Sequence, residues 1–237
     1  NPKPTDLLQH LLLLSTSKTS GDIVLDFFAG AGSIGHAIFK QNLIDGGNRK
    51  FIAIQLPEET KENSKARLAG FNVISEVSIK RLNLAIDFLY NEYEEYSFYE
   101  GDITKADLGF KVFKLSPSNF KIWRSKEITD DNLVKQLEMF INPVREGSEQ
   151  ENMLYELMLK AGYSLTDKVE KNENLYSVKN GELIIAIESI NQATVDKIIA
   201  LHPKKVITLD MLFKDNDQLK TNAVLQMRDA RIDFKTI

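Results

Sequence analysis

Asp26-Phe27-Phe28-Ala29-Gly30-Ala31-Gly32-Ser33-Ile34-Gly35 is the stretch on which the fold of this chain turns. It follows Ile23-Val24-Leu25, a short apolar run that suits a buried strand, and precedes a helical segment reaching about Leu43 with Ser33 as its candidate cap. Asp45-Gly46-Gly47-Asn48 then makes a turn, and Lys50-Phe51-Ile52-Ala53-Ile54 reads as a second strand. Strand, glycine loop, helix and strand in that order predict a parallel α/β unit. Glycines at the elbow let a backbone approach a ligand closely, and the free N–H groups of the helix start favour a negatively charged ligand group.

Gly30, Gly32 and Gly35 also fit the GxGxxG spacing of nucleotide folds, so a NAD(P)- or FAD-binding domain of an oxidoreductase is one reading. Two features point away from it. Asp26 and two phenylalanines stand before the first glycine, where a dinucleotide loop reaches its glycine sooner. Lys3-Pro4 forms a separate element one helix upstream. The bland alternative is a glycine-rich turn with no ligand, yet unliganded sheets rarely need so much backbone permissiveness.

Working outward, Pro4 bars an earlier helix start, Thr5 is a candidate cap, and Leu7, Leu8, Leu11, Leu12 and Leu14 recur at helical spacing. Glu58 to Ala69 is polar and reads as exposed or mobile. Val77, Leu82, Ile86 and Leu89 mark an amphipathic helix to about Tyr90, and Phe110 to Leu115 alternates as a strand does. Thr129 opens a helix through Leu133, Leu137 and Phe140 that Asn142-Pro143 ends, and Arg145 to Gln150 is a candidate linker. Met153, Leu154, Leu157, Met158 and Ala161 form another stripe, closed by Gly162. Asn180-Gly181 between Leu175–Val178 and Leu183–Ile187 signals a hairpin. A helix capped by Thr194, a strand Val206 to Leu209, a helix Leu219 to Met227 and a last strand Ile232 to Phe234 follow. The expected domains are residues 1–125, a helix and linker over 126–150, and a small α/β lobe over 151–237.

Composition narrows the chemistry. The 237 residues contain no cysteine, which removes disulfides, thiolate metal sites and cysteine nucleophiles from this chain. His10, His36 and His202 lack metal-ligand spacing, and Asp210, Asp215 and Asp217 read as turn and cap residues, so no metal is expected. The net charge of −4 lacks the bulk basic face of a free-standing nucleic-acid binder, so phosphate contacts are expected elsewhere or on a local patch. Near the start the longest apolar run, Leu11 to Leu14, is too short to span a membrane and no signal peptide precedes it; a cytoplasmic bacterial protein is expected.

Lys3-Pro4-Thr5-Asp6-Leu7 followed by Gly21-Asp22-Ile23-Val24-Leu25 and the glycine elbow resembles the amino-methyltransferases of the β arrangement. More closely, the chain resembles the C-terminal portion of the modification (Mod) subunit of type III restriction-modification systems. Arg49 to Glu58, Gly109 to Leu115 with Ser118-Asn119-Phe120, Asn216 to Asn222 and Phe234 to Ile237 carry that likeness. It implies a partial Rossmann-like S-adenosylmethionine (SAM)-dependent methyltransferase sheet with a second, smaller α/β C-terminal lobe, in an enzyme specific for adenine-N6. In that family an acid or Asn, two prolines and an aromatic form the catalytic motif, ahead of the cofactor motif. No such string occurs here; Asn142-Pro143-Val144 comes nearest and lacks the second proline and the aromatic. The resemblance therefore implies a piece that begins after the target-recognition region, with no catalytic residues of its own and inactive alone. The absence of cysteine argues against C5-cytosine chemistry.

By the same resemblance, the backbone around Phe27, Phe28, Ala29, Gly30, Gly32 and Ser33 surrounds the methionine part of SAM. Asp26 orients the loop or meets the ammonium, and Lys3 with Pro4 reaches the carboxylate. Gln55 stands where an acid usually binds the ribose, and Glu58 is the candidate to take that role; Asn119 and Phe120 are candidates to flank the adenine. The implied partners are DNA, met through N-terminal and recognition regions missing here, a second Mod copy, and the restriction (Res) subunit. A non-enzymatic assembly module with a vestigial loop is a further alternative.

Overall fold

Ile23–Asp26 (β1) and Lys50–Ala53 (β2) pair in parallel, from Ile23 opposite Lys50 to Asp26 opposite Ala53, in the computed structural model of the chain. The structure describes residues 2–95, 102–103, 106–121 and 143–237. These residues form a mixed α/β protein with seven α-helices and two sheets, and divide into two units, residues 1–113 and 114–237. The division thus falls ahead of the boundary expected at residue 125, and the expected helix from Thr129 to Phe140, with Asn142, lies outside the described residues.

In the first unit Ser33–Asp45 (α2) is the central helix, crossing from β1 to β2. Thr5–Ser15 (α1) packs on one side of it, where Leu12, Ile34, Ala37 and Ile38 are buried with Leu8, Val24 and Phe51 against them. Only Leu12 of the α1 leucines is buried; Leu7, Leu11, Leu13 and Leu14 are exposed. Ile74–Glu95 (α4) packs on the other side, through Leu82 and Leu89 against Phe39 and Leu43. Phe39 meets Phe51 edge-on, with ring centroids 5.5 Å apart. Ile23, Leu25 and Ile52 are exposed.

The polar stretch from Glu58 to Ala69 is more ordered than its composition suggests. It holds a short helix, Lys65–Leu68 (α3), whose cap Ser64 accepts from Arg67 N–H. Buried Thr60 donates its hydroxyl to Phe71 O (2.7 Å), and the Arg67 guanidinium donates to Thr60 O (2.9 Å). Internal polar bonds replace the apolar periodicity that a sequence pattern detects.

The second unit is a five-stranded sheet in chain order: Val169–Asn172 (β3), Leu175–Val178 (β4), Leu183–Ala186 (β5), Lys205–Thr208 (β6) and Asp233–Thr236 (β7). β3, β4 and β5 are antiparallel neighbours, whereas β5, β6 and β7 run parallel. Gln150–Lys160 (α5) buries Met153, Leu154, Leu157 and Met158 against Val178, Leu183, Ile185 and Ile207. Gln192–Leu201 (α6) and Asp217–Asp229 (α7) bury Val195, Ile198, Ala223 and Met227 against Ile184, Ala186 and Val206. The alternation of odd and even strand residues between those two cores shows a sheet covered on both faces.

Several local expectations are corrected. Phe110 to Leu115 forms no strand; Phe110 packs partly buried against the core of Phe39, Leu82 and Leu89, while Val112, Phe113 and Leu115 are exposed. The caps move too. α1 is preceded by Pro4 rather than capped by Thr5, α2 by Gly32 rather than Ser33, and α6 by Asn191, whose side chain accepts from Thr194 N–H. Glycine in the left-handed region (Gly32 φ 71°) can close the elbow in one residue fewer than a Ser33 cap would need. β3 was not foreseen: Glu170, Lys171 and Asn172 give it the charged, non-alternating sequence of an edge strand.

Candidate functional site

The elbow between β1 and α2 is pinned chiefly from β2 and α4. Asp26 O accepts from Ile54 N–H (2.8 Å), Ile54 O accepts from Ala29 N–H (3.1 Å), and Ala29 O accepts from Gly32 N–H (2.8 Å). Asp26, half-buried at the end of β1, accepts Phe28 N–H on its carboxylate at 3.1 Å, which turns the chain away from the strand. Gln55, just past β2, accepts Gly30 N–H on its carboxamide oxygen at 2.8 Å and donates to Leu56 O at 3.1 Å.

From the other side, α4 supplies two polar groups. Ser78, buried in the helix face that carries Leu82, Ala85 and Leu89, donates its hydroxyl to Gly30 O. Arg81 donates to Ser33 Oγ at 2.8 Å, at the first turn of α2. Burial lowers the proton affinity of Arg81, and burial together with the neighbouring Arg81 and Lys40 charges lowers that of His36. The imidazole of His36 is thereby kept neutral over a wider pH range than a free histidine.

The glycines divide by role. Gly30 (φ 54°) and Gly32 (φ 71°) occupy the left-handed region, while Gly35 is small because Leu82 and Phe51 crowd it. A β-carbon on Gly30 would meet nothing closer than Phe28 O at 3.8 Å, so the elbow is open on that side. Phe27 and Phe28 are 61% and 83% exposed, leaving two aromatic rings at its lip.

Of the residues expected at the site, Asp26, Phe28, Ala29, Gly30, Gly32 and Gln55 are joined by direct bonds, with Phe27 between them and Ser33 opening the helix. Glu58 is exposed; its N–H bonds Leu56 O and its carbonyl accepts from Ile74 N–H, so the backbone links β2 to α4 and the carboxylate meets solvent. Lys3 and Pro4 are exposed ahead of α1, and no described hydrogen bond or ion pair joins them to the elbow. Ser78 and Arg81 were missed by sequence reasoning. A signal existed for Ser78: it interrupts the stripe Leu82, Ala85, Leu89 at the position where an apolar residue is due. Asn119 lies in the second unit, where its N–H and carboxamide bond Glu156, and Phe120 is buried there.

Residues 1–66 match the DNA methylase family. The chain is similar to the Mod subunit of the type III restriction-modification enzyme EcoP15I of Escherichia coli, 27% identical over 237 residues, covering 95% of this chain and 33% of that protein. It is also similar to the Mod subunit of the StyLTI enzyme of Salmonella typhimurium (36% identical over 116 residues; 48% of this chain, 16% of the relative). A type II methyltransferase of Klebsiella pneumoniae, M.KpnI, is 40% identical over 65 residues (27% of this chain, 16% of the relative). The matched stretches span a third or less of each relative. The resemblance to type III Mod subunits is borne out, and through the EcoP15I match it extends into the second unit, beyond the reach of the family match.

Proposed function

We propose that this chain is the cofactor-binding part of a DNA adenine-N6 methyltransferase of a type III restriction-modification system. The observation that carries the proposal is the open, doubly pinned elbow from Asp26 to Ser33, lying inside the segment that matches the DNA methylase family. The parallel β1–α2–β2 arrangement is read as the start of a Rossmann-like sheet, with its ligand beyond the carboxyl ends of the strands.

The residues present fit SAM. Gly30 leaves a cradle that a side chain would fill, and Asp26 offers a carboxylate to an ammonium group. The first turn of α2 offers N–H groups to a carboxylate. The exposed rings of Phe27 and Phe28 offer apolar surface to a bound ligand. Lys3, Pro4 and Glu58 are assigned to the rim, as carboxylate and ribose partners. When bound, SAM supplies a methyl group activated by its sulfonium; the acceptor is the exocyclic amine of a base taken out of the DNA stack. This chain's part is to bind and orient. The acid or Asn, the prolines and the aromatic that receive the base are assigned to another part of the protein, as is DNA recognition, while pairing with a second copy or with a restriction subunit is assigned to the small lobe over residues 151–237.

Calorimetric titration of the intact gene product with SAM, its demethylated product and NAD tests the proposal. Binding of the first two and not of NAD is expected; affinity for NAD without a response to SAM would replace it with a dinucleotide-dependent enzyme. Methyl transfer to duplex DNA by the 237-residue chain alone would overturn the assignment of catalysis elsewhere.

A further inference from the structure

Both polar ends of the Gly30 residue are held by side chains from different elements. Its N–H donates to Gln55 Oε1 at 2.8 Å from the exit of β2, and its carbonyl accepts from Ser78 Oγ of α4. We propose that Gln55 and Ser78 are positioning residues, which together fix the Gly30 backbone in its left-handed conformation and so set the shape of the cofactor loop.

Gly30 is free to flip as few residues are, because glycine populates both signs of φ with similar ease. At φ 54° its N–H and carbonyl are spoken for by side chains, while the neighbouring bonds, Ala29 N–H to Ile54 O and Gly32 N–H to Ala29 O, leave Gly30 itself untouched. The Gln55 carboxamide is itself oriented by its bond to Leu56 O. Ser78 has a second acceptor within reach, Ile74 O one turn back at 3.1 Å, so its single proton is available to the loop at the expense of a helix carbonyl. A serine in a buried helix stripe is ordinarily a cost, and the bond to Gly30 gives it a use.

The consequence concerns Gln55 most. An acid at the end of a second strand reads ribose hydroxyls in nucleotide folds. Here the carboxamide oxygen is engaged from behind the loop, so Gln55 acts through Gly30 rather than on the sugar.

This inference rests on SAM binding at the elbow. The test titrates the intact gene product, and its Ser78→Ala, Gln55→Leu and Gln55→Glu variants, with SAM and with 2′-deoxy-SAM, and records the thermal unfolding of each without ligand. Ser78→Ala and Gln55→Leu should each weaken SAM binding about tenfold, and the double variant by less than the product, because both act on one residue. Gln55→Glu keeps an acceptor for the Gly30 N–H but replaces the donor to Leu56 O with a second oxygen, so it should lose less SAM affinity than Gln55→Leu does. The loss in Gln55→Leu should be equal for SAM and 2′-deoxy-SAM. Loss for SAM alone would mean a ribose contact and overturn the inference. So would variants that bind like the parent, or that lose affinity only in proportion to lost fold; SAM binding by the parent would still stand. A parent that binds no SAM would remove the underlying reading and this inference with it.

Discussion

Gly35 of α2 lies so close to Leu82 of α4 that a β-carbon on the glycine would sit 2.7 Å from the leucine Cδ2, and 3.0 Å from Phe51 Cζ. The third glycine of the elbow motif is therefore a packing residue. It lets the helix approach β2 and α4 at once. Gly35→Ala gains helix propensity of about 1 kcal/mol but overpacks a filled core, a cost of about 1–3 kcal/mol. A net loss of up to about 2 kcal/mol is expected in urea unfolding, with SAM affinity unchanged once the protein is folded. A stabilised variant would contradict this packing role.

Gly30 and Gly32 should behave differently from Gly35 and from each other. Both have positive φ, so alanine costs each about 1–2 kcal/mol. At Gly32 the added carbon also meets Leu82 Cγ and Ser78 O at 3.4 Å, whereas at Gly30 it enters open space. Gly32→Ala should be the more destabilising in urea unfolding. Gly30→Ala should lose SAM affinity out of proportion to its small stability cost, since it fills the cradle.

Much of this was legible in the sequence because the elbow is local. The apolar run Ile23 to Leu25, the glycines and the turn at Asp45 to Asn48 lie within about one βαβ unit, and each signals its own geometry. The hairpin at Asn180-Gly181 was legible for the same reason; Lys179, Asn180 and Gly181 all take positive φ. What escaped depends on distant partners. Ser78 and Arg81 stand 48 residues from the loop groups they hold. The alternation from Phe110 to Leu115 misled because a pattern reports apolar side chains and says nothing of whether a core is there to receive them. Gln55 could be located in the sequence at the end of the second strand, but its engagement with Gly30 becomes visible only when the strand exit and the loop are seen together.

The second unit carries its own pH dependence through Glu156 of α5. Burial pushes this carboxyl up, but bonds from Lys160, Ser118 and both the N–H and carboxamide of Asn119 outweigh it and hold the pKa at about 2, against an ordinary 4.5. The folded value is depressed, so the stabilisation is complete above pH about 4.5 and is lost as the pH falls toward 2. Linkage caps it at about 3 kcal/mol. Glu156→Gln should therefore be less stable than the parent by about 2–3 kcal/mol at pH 7, with the gap closing toward pH 2 in urea titrations at each pH. A gap independent of pH would show that the carboxylate charge contributes nothing to holding the 118–119 segment.

Arg49 ties three elements of the first unit together, and its removal should cost more than that of any exposed ion pair. Its side chain is 2% exposed and pairs with Asp45 at 3.0 Å; Nε donates to Thr16 Oγ1 at 2.7 Å, beyond the end of α1. Asn42 of α2 closes the arrangement, accepting Arg49 N–H and donating to Arg49 O. Gly47 completes it by absence, since a β-carbon there would lie 2.4 Å from the guanidinium. Arg49→Met leaves the Asp45 carboxylate, only 16% exposed, without its cation, a loss of about 3–5 kcal/mol. The double variant Arg49→Met/Asp45→Leu removes both charges and should recover part of that loss, because a buried pair contributes little beyond what an apolar pair of similar size supplies. Arg49→Lys should fall in between: an ammonium can reach Asp45 but cannot also present the fork that serves Thr16. Urea unfolding of the three variants at pH 7 ranks them. A double variant less stable than Arg49→Met would mean that Asp45 has a second role, through its acceptance of Gly47 N–H and the Gln41 carboxamide, larger than its pairing with Arg49.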